Sequence, residues 1–245
     1  MKILVCISCV PDTTSKISFT DNNTKFNSSG IQYIIGPYDE YALSRAIELK
    51  EAHGGTVTVI HVGLADNEPI IRKALAIGAD DAIRINAHPH DAWFVANEIA
   101  AVAASENYDL ILTGRESIDF NGGLVHSMLG ELLNLPSLSP VMKLDINGKM
   151  ALVAREIEGG KEYIEIALPF VAGCQEPIAE WKIPNMRGIM SAKTKPLKVV
   201  EPSVHKINTQ TLSYELPPAK GACKFIDPST PEQLIELLKT EAKVL

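Results

Sequence analysis

Residues 3–10 read ILVCISCV, a continuous β-type run of the kind found in a strand covered on both faces. Residues 15–37 are polar and turn-rich with short β-type pieces, which predicts an excursion or hairpin. Residues 38–55 switch to a helical period. Tyr41, Ala42, Ala46, Ile47 and Leu49 make its apolar side, and Gly54-Gly55 stops it. A strand follows at 56–63. The next helix, 67–80, carries Pro69 early, where a missing N–H costs least. Then come a strand at 81–86, a helix at 91–106, a strand at 109–113 and a helix at 122–135. Strands alternating with helices predict a doubly wound, mainly parallel α/β sheet of the Rossmann-like kind. In such sheets a ligand sits beyond the carboxyl ends of the strands, where the strand order reverses. The segments to watch are therefore 8–14, 63–66 and above all 114–122, with 36–39 because it opens a helix.

The texture changes after Pro136. Residues 141–174 show apolar alternation broken by Asn147-Gly148 and Gly159-Gly160, which predicts an antiparallel meander on the edge of the sheet or as a small layer. From Gln175 to about Pro228 the periodicity is weak, apart from a short helix expected within 185–195. Residues 229–245 end in an amphipathic helix capped by Ser229 or Thr230, with Pro231 in its first turn. An irregular arm of about 50 residues is long for a compact monomer and is better explained as a segment lying on a partner. The expected division is a nucleotide-binding domain over 1–174, with the meander from about 137, and a recognition segment plus C-terminal arm over 175–245.

The chain has 245 residues and a net charge of -7, from 23 basic and 30 acidic residues. That balance argues against nucleic-acid binding and against a polybasic membrane patch. No apolar run reaches the length of a membrane helix, and the N-terminus reads as a first strand, so a cytoplasmic location is expected. The four cysteines, Cys6, Cys9, Cys174 and Cys223, are too scattered for a disulfide framework. Cys6 and Cys9 have the C-x-x-C spacing, but they lie on a strand and its end, where a buried small residue plus a loop thiol is the simpler reading.

The loop at 114–125 carries the chemistry that is visible. Gly114 leaves room where a strand ends. Arg115 suits a phosphate or a carboxylate, and Asp119 suits a ribose hydroxyl or the turn itself. Asn121 is a good N-cap, and Gly122 and Gly123 allow backbone N–H groups to approach an anion. The loop is neither a Walker motif nor G-x-G-x-x-G. A plain capped β–α turn explains it equally well. His61 lies in a strand and His126 on a helix, and Glu158, Glu162 and Glu165 fall on strand faces. No catalytic constellation emerges from these groups.

The segment VAREIEGGKEYIEIALPFVAG, residues 153–173, resembles the signature of the electron transfer flavoprotein β subunit through Arg155, Glu158, Gly159, Gly160, Glu162 and Pro169. Ala172 and Gly173 depart from it. Further landmarks of that family follow in order at 10–13, 36–51, 71–85, 110–119 and 188–199, so the resemblance spans the chain. It implies a β subunit paired with an α subunit that holds the redox FAD. It implies electron flow from dehydrogenases, commonly acyl-CoA dehydrogenases, to a quinone reductase (the electron transfer flavoprotein–quinone oxidoreductase). It also implies that this chain has no catalysis of its own. The β subunit binds AMP structurally in most members and a second FAD in electron-bifurcating members.

By the same resemblance the nucleotide is held by Cys6, by Gly36, Pro37, Tyr38 and Asp39, by Val62, and by the loop from Gly114 to Val125. That loop contributes Arg115, Ser117, Asp119, Asn121, Gly122, Gly123 and Leu124. Arg115, Glu116, Asn121, Gly123, Leu124 and Gly36 replace residues usual in the family, which shifts phosphate binding from side chains toward backbone N–H groups. AMP is the expected occupant, with FAD or an empty site as alternatives. Met186 matches the apolar anchor that docks into dehydrogenases, and Lys193 a basic position beside it. A stand-alone nucleotide-binding signalling protein is the reading from a different class. It leaves the meander and the arm unexplained.

Overall fold

The computed structural model describes residues 1–203 and 207–245; positions 204–206 of the expected arm lie outside the described residues. Two units emerge from the contacts. The larger comprises Met1–Ser18 and Asn27–Thr211, the smaller Phe19–Phe26 and Leu212–Leu245.

The larger unit is built on the expected alternation. Strand β1 (Lys2–Cys6) is followed by β2 (Cys9–Pro11). In the smaller unit, β3 (Phe19–Thr20) and β4 (Lys25–Phe26) pair as a hairpin. The larger unit continues with β5 (Tyr33–Ile35), α1 (Pro37–His53), β6 (Thr56–Val62), α2 (Glu68–Ile77) and β7 (Asp81–Ile85). Then come α3 (Ala92–Ala103), β8 (Leu110–Gly114), α4 (Val125–Leu133), β9 (Ser137–Asn147), β10 (Met150–Ile157), β11 (Gly160–Ala167) and β12 (Phe170–Cys174). It closes with α5 (Met186–Ala192) and β13 (Leu197–Val200). The smaller unit ends in α6 (Glu232–Thr240).

The main sheet runs β11-β10-β9-β12-β8-β1-β6-β7-β13. From β13 to β9 every neighbouring pair is parallel; only β9-β10-β11 is antiparallel. Side chains alternate between two cores. Ile3 and Val5 of β1 face α1 and α2, whereas Leu4 and Cys6 face α3 and α4. Burial on both faces is what the unbroken apolar strands require. The chain leaves β1 in one direction through β6 and β7, then crosses back to β8 on the other side of β1. The order therefore reverses between β1 and β8, and the ends Cys6 and Gly114 flank that point.

Three details differ from the pattern reading. The first strand breaks after Cys6, because Cys9–Pro11 leave the sheet to pair with Tyr33–Ile35. The meander extends only from Ser137 to Ala167. Its supposed last strand, β12, instead inserts between β8 and β9 as a parallel strand buried on both sides. Within the weakly periodic stretch, Leu197–Val200 add a parallel edge strand beside β7.

In the smaller unit, Asp21, Asn22 and Asn23 take positive φ in the β3–β4 turn, and the rings of Phe19 and Tyr214 stack 4.8 Å apart. Ser229 and Thr230 do not cap α6. Ser229 donates instead to Asp227, and the helix starts at Glu232 with Pro231 before it. No residue of α6 is buried. No helix among the described residues is long and apolar enough to cross a membrane.

Candidate functional site

Asp39 organises the switch point. It lies in the first turn of α1 and is only 5% exposed. Its Oδ2 accepts hydrogen bonds from the Ser8 backbone N–H (2.8 Å) and the Ser8 hydroxyl. Its Oδ1 accepts from the Gly114 N–H (2.8 Å). One carboxylate thus joins the chain leaving β1, the start of α1 and the end of β8. Burial pushes its pKa up to about 6. The hydrogen bonds from Ser8 and Gly114 pull the other way, and nearby Asp119 adds to the rise.

The two glycines beside it are required by this carboxylate. A Cβ on Gly36 would lie 2.4 Å from the Ser8 hydroxyl and 2.5 Å from Asp39 Oδ2. One on Gly114 would lie 2.5 Å from Asp39 Oδ1 and 2.8 Å from the Tyr38 Cβ. Glycine is needed here for close approach of protein to protein.

Cys6 and Val62 are buried in the core shared by β1, β6, α3 and α4. Burial raises the Cys6 thiol far above its ordinary value, with Asp39 adding to it. Cys9, half-buried, is pushed up to about 11 by burial and then by Asp66 and Asp119. Neither is an activated thiol. Beneath the β6 end lies His61, which bonds the Ile7 carbonyl through Nδ1 and the Asn67 amide through Nε2, both at 2.9 Å. Burial lowers its pKa, so it packs as a neutral imidazole.

Arg115 is engaged within the protein. Nη1 donates to Gln175 Oε1 (2.9 Å), Nη2 to Glu116 Oε1 (3.1 Å), and the guanidinium lies 5.2 Å from the centre of the Tyr38 ring. Gln175 in turn donates to Glu156. Beyond Arg115 the loop opens. The Asn121 N–H donates to the Ser117 carbonyl (2.8 Å), and the exposed Asp119 accepts from the Phe120 N–H. Asn121 does not cap the helix. It takes φ +49°, a left-handed conformation that Asn tolerates, and α4 begins four residues later. Gly123 follows with φ +58°, and a Cβ on Gly122 would meet nothing within 4 Å. The N-cap position belongs to Leu124, and no side chain caps α4. The helix thus presents unsatisfied N–H groups at its positive end. His126 holds the loop from below through a bond to the Gly123 backbone, and burial lowers its pKa. α1 also begins without a side-chain cap.

The site thus combines two uncapped helix starts, one open glycine pair and a carboxylate already satisfied by protein donors. The polar groups it leaves without a side-chain partner are backbone N–H groups at the helix starts, an arrangement chemically suited to an anion. Sequence reasoning marked the segment 8–14 without singling out Ser8, and it missed Asn67 and Gln175. Ser8 and Gln175 are lone polar residues just past strand ends and Asn67 precedes α2, and only the fold reveals the partner of each.

A model of the electron transfer flavoprotein domain matches residues 24–205. The chain belongs to the electron transfer flavoprotein family. Among curated proteins it is 36% identical to the electron transfer flavoprotein subunit beta of Bacillus subtilis, over the whole of both chains. It is 34% identical to the subunit of that name in Syntrophomonas wolfei, covering 100% of this chain and 98% of the other. It is 30% identical to the caffeyl-CoA reductase-Etf complex subunit CarD of Acetobacterium woodii, covering 99% and 98%. Electron transfer flavoprotein β subunits are electron-transfer proteins. They pair with an α subunit in flavin-linked complexes that connect to reductases.

Outside the switch point, Met186 opens α5 with its side chain largely in solvent, and Lys193 lies just past the helix, also exposed. The structure brings Cys6, Gly36–Asp39 and Gly114 together at the strand ends. Met186 and Lys193 belong to a separate surface, where α5 packs beside α2.

Proposed function

We propose that this chain is the β subunit of a heterodimeric electron transfer flavoprotein with AMP as a structural nucleotide. In this reading the complex takes electrons from dehydrogenases of the acyl-CoA type and delivers them to a quinone reductase, in the cytoplasm. The observation that carries it is the uncapped start of α4 behind the open Gly122-Gly123 pair. Backbone N–H groups from Gly122 to Val125 would hold the phosphate. Arg115 would not pair with it directly, being bound to Gln175 and Glu116. The strand ends at Cys6 and Val62 and the turn at Gly36–Tyr38 would flank the nucleoside. Flavin supplies the redox chemistry of such complexes. The residues of this chain supply position and dryness.

The arm over 175–245 is read as a partner-binding segment, because α6 is amphipathic with no buried residue and Phe225 is fully displayed. Met186, 74% exposed, is read as the apolar anchor for dehydrogenases, with Lys193 offering a positive charge beside it.

A second reading places FAD in the same loop, as in electron-bifurcating members. Phe120 and Leu124 favour it, because they expose apolar surface (68% and 49%) that a flavin ring would cover better than a mononucleotide. One experiment decides. The chain is co-expressed with an α subunit, the complex is purified and denatured, and released nucleotides are quantified. One FAD and one AMP per dimer is the expected result. Two FAD without AMP would replace the first reading with the second. No AMP and a single FAD would refute both.

A further inference from the structure

α5 has seven residues, too few to hold a helix alone in water. It is held on α2 in three ways. Gly188 lies so close that a Cβ there would come within 2.2 Å of the Ala76 carbonyl oxygen. Ala192 is buried against the same core. Two cations then cross the contact in opposite directions. Arg72 of α2 donates through Nη1 to the carbonyls of Ala192 (3.0 Å) and Lys195 (2.8 Å), at the carbonyl end of α5. Its Nε and Nη2 are fixed by Glu68 Oε1 (3.1 and 3.0 Å). Lys195, just past α5, donates through Nζ to the carbonyls of Leu75 (2.9 Å) and Ala79 (2.5 Å), at the carbonyl end of α2. Each helix has its negative end capped by a cation supplied from the other side of the contact. The outward side of α5 carries Met186 and Met190, the latter 70% exposed.

We propose that Arg72 and Lys195 are positioning residues that hold α5 in one orientation, so that Met186 and Met190 meet an apolar recess on the electron-donating dehydrogenase already ordered. This rests on the docking reading of Met186. Methionine is flexible, and its binding surface gains affinity when the backbone beneath it is ordered beforehand. The cross-caps provide that order without touching the partner.

The test uses the intact heterodimer and the acyl-CoA dehydrogenase that reduces the wild-type complex, with acyl-CoA in excess. Lys195→Met is expected to raise KM for the complex about 5-fold, the effect of losing one helix-end cation from a docking element. kcat, FAD content and the rate of chemical reduction by dithionite should not change. Lys195→Arg should restore KM to near wild type. Met186→Ala should raise KM by itself, and adding Lys195→Met to the Met186→Ala/Met190→Ala pair should raise KM no further. An unchanged KM in Lys195→Met and Arg72→Met, with KM raised in Met186→Ala, overturns the clamp and leaves docking intact. An unchanged KM in Met186→Ala removes the docking reading and the clamp with it. Should Lys195→Met fail to assemble, Arg72→Lys keeps the charge and loses the fork. Amide exchange over 186–192 in that complex must then accelerate, and unchanged exchange refutes the proposal.

Discussion

Replacing Asp39 with Asn tests the centre of the site, because the structure predicts a pH-dependent cost rather than a uniform one. In the folded chain the carboxyl titrates at about 6, above its ordinary value of 3.8. The folded state therefore binds the proton more tightly than the unfolded state. Stability from this group is fully present below the unfolded value and is lost as pH rises through the folded one. The complete loss is roughly 3 kcal/mol, from about 2 units at 1.36 kcal/mol each. About half of that, roughly 1.4 kcal/mol, falls between pH 5 and pH 7.5.

Asn has no such titration. Its single acceptor oxygen can serve Ser8, which donates twice to Oδ2, and its NH2 group then faces the buried Gly114 N–H. That orphaned donor costs about 1–3 kcal/mol at every pH. Asp39→Asn should thus cost about 1.4 kcal/mol more, relative to wild type, at pH 5 than at pH 7.5. Urea unfolding of wild type and variant in the same complex, followed by tryptophan fluorescence at several pH values, gives the difference. A difference that changes by less than about 0.5 kcal/mol across this range refutes the claim that a buried, raised carboxyl ties β1, α1 and β8 together. A carboxyl titration of Asp39 near 4 would refute it directly.

Gly114→Ala places a methyl group 2.5 Å from Asp39 Oδ1, so it should destabilise by about 1–3 kcal/mol and release the bound nucleotide, measured by thermal unfolding and nucleotide content. Leu124→Glu puts a negative charge on the uncapped start of α4. The empty chain should keep or gain up to about 1 kcal/mol of stability, while nucleotide affinity falls at least about tenfold by titration calorimetry. Asn121→Gly should leave stability within about 0.5 kcal/mol, because φ is +49°, whereas Asn121→Ala should lose about 1–2 kcal/mol in urea unfolding. In timed alkylation of the isolated native chain, the exposed Cys223 should react first. Cys9 should lag, and Cys6 and Cys174 should resist until unfolding, because burial raises both thiols.

The alternation of strands and helices over the first 135 residues was legible because most of its elements declare themselves locally, although the first strand ends at Cys6 and α4 starts only at Val125. Ile3 to Cys6 and Leu110 to Leu112 are apolar on both faces, and Gly54, Gly78 and Asn134 stop their helices in the backbone conformations those stops need. β12 was misread for the opposite reason. Its residues fit a meander as well as a parallel strand, and only long-range pairing with β8 and β9 separates the two. β13 is only four residues, Leu197–Val200, lying between Pro196 and Pro202 in a weakly periodic stretch, and only its long-range pairing with β7 defines it.

The loop at 114–125 shows the limit most clearly. Its residue types suggest Arg115 for an anion and Asn121 for a cap, and the turn opening α1 suggests Asp39 for a ligand. In the fold, Arg115 is bound to Gln175 and Glu116, Asn121 bends the loop, and Asp39 is consumed by Ser8 and Gly114. Side chains read as ligand-binding instead build the frame. What remains free is the backbone of Gly122 to Val125, which has no side-chain signature of its own beyond two glycines. A site made of N–H groups tolerates substitution of its polar neighbours, provided the frame keeps its shape. On the reading proposed above, Arg115 and Glu116 can therefore replace the residues usual in the family without loss of a phosphate cradle built on backbone N–H groups. It also makes Asp39 and Gly114, rather than Arg115, the positions where a change would remove it.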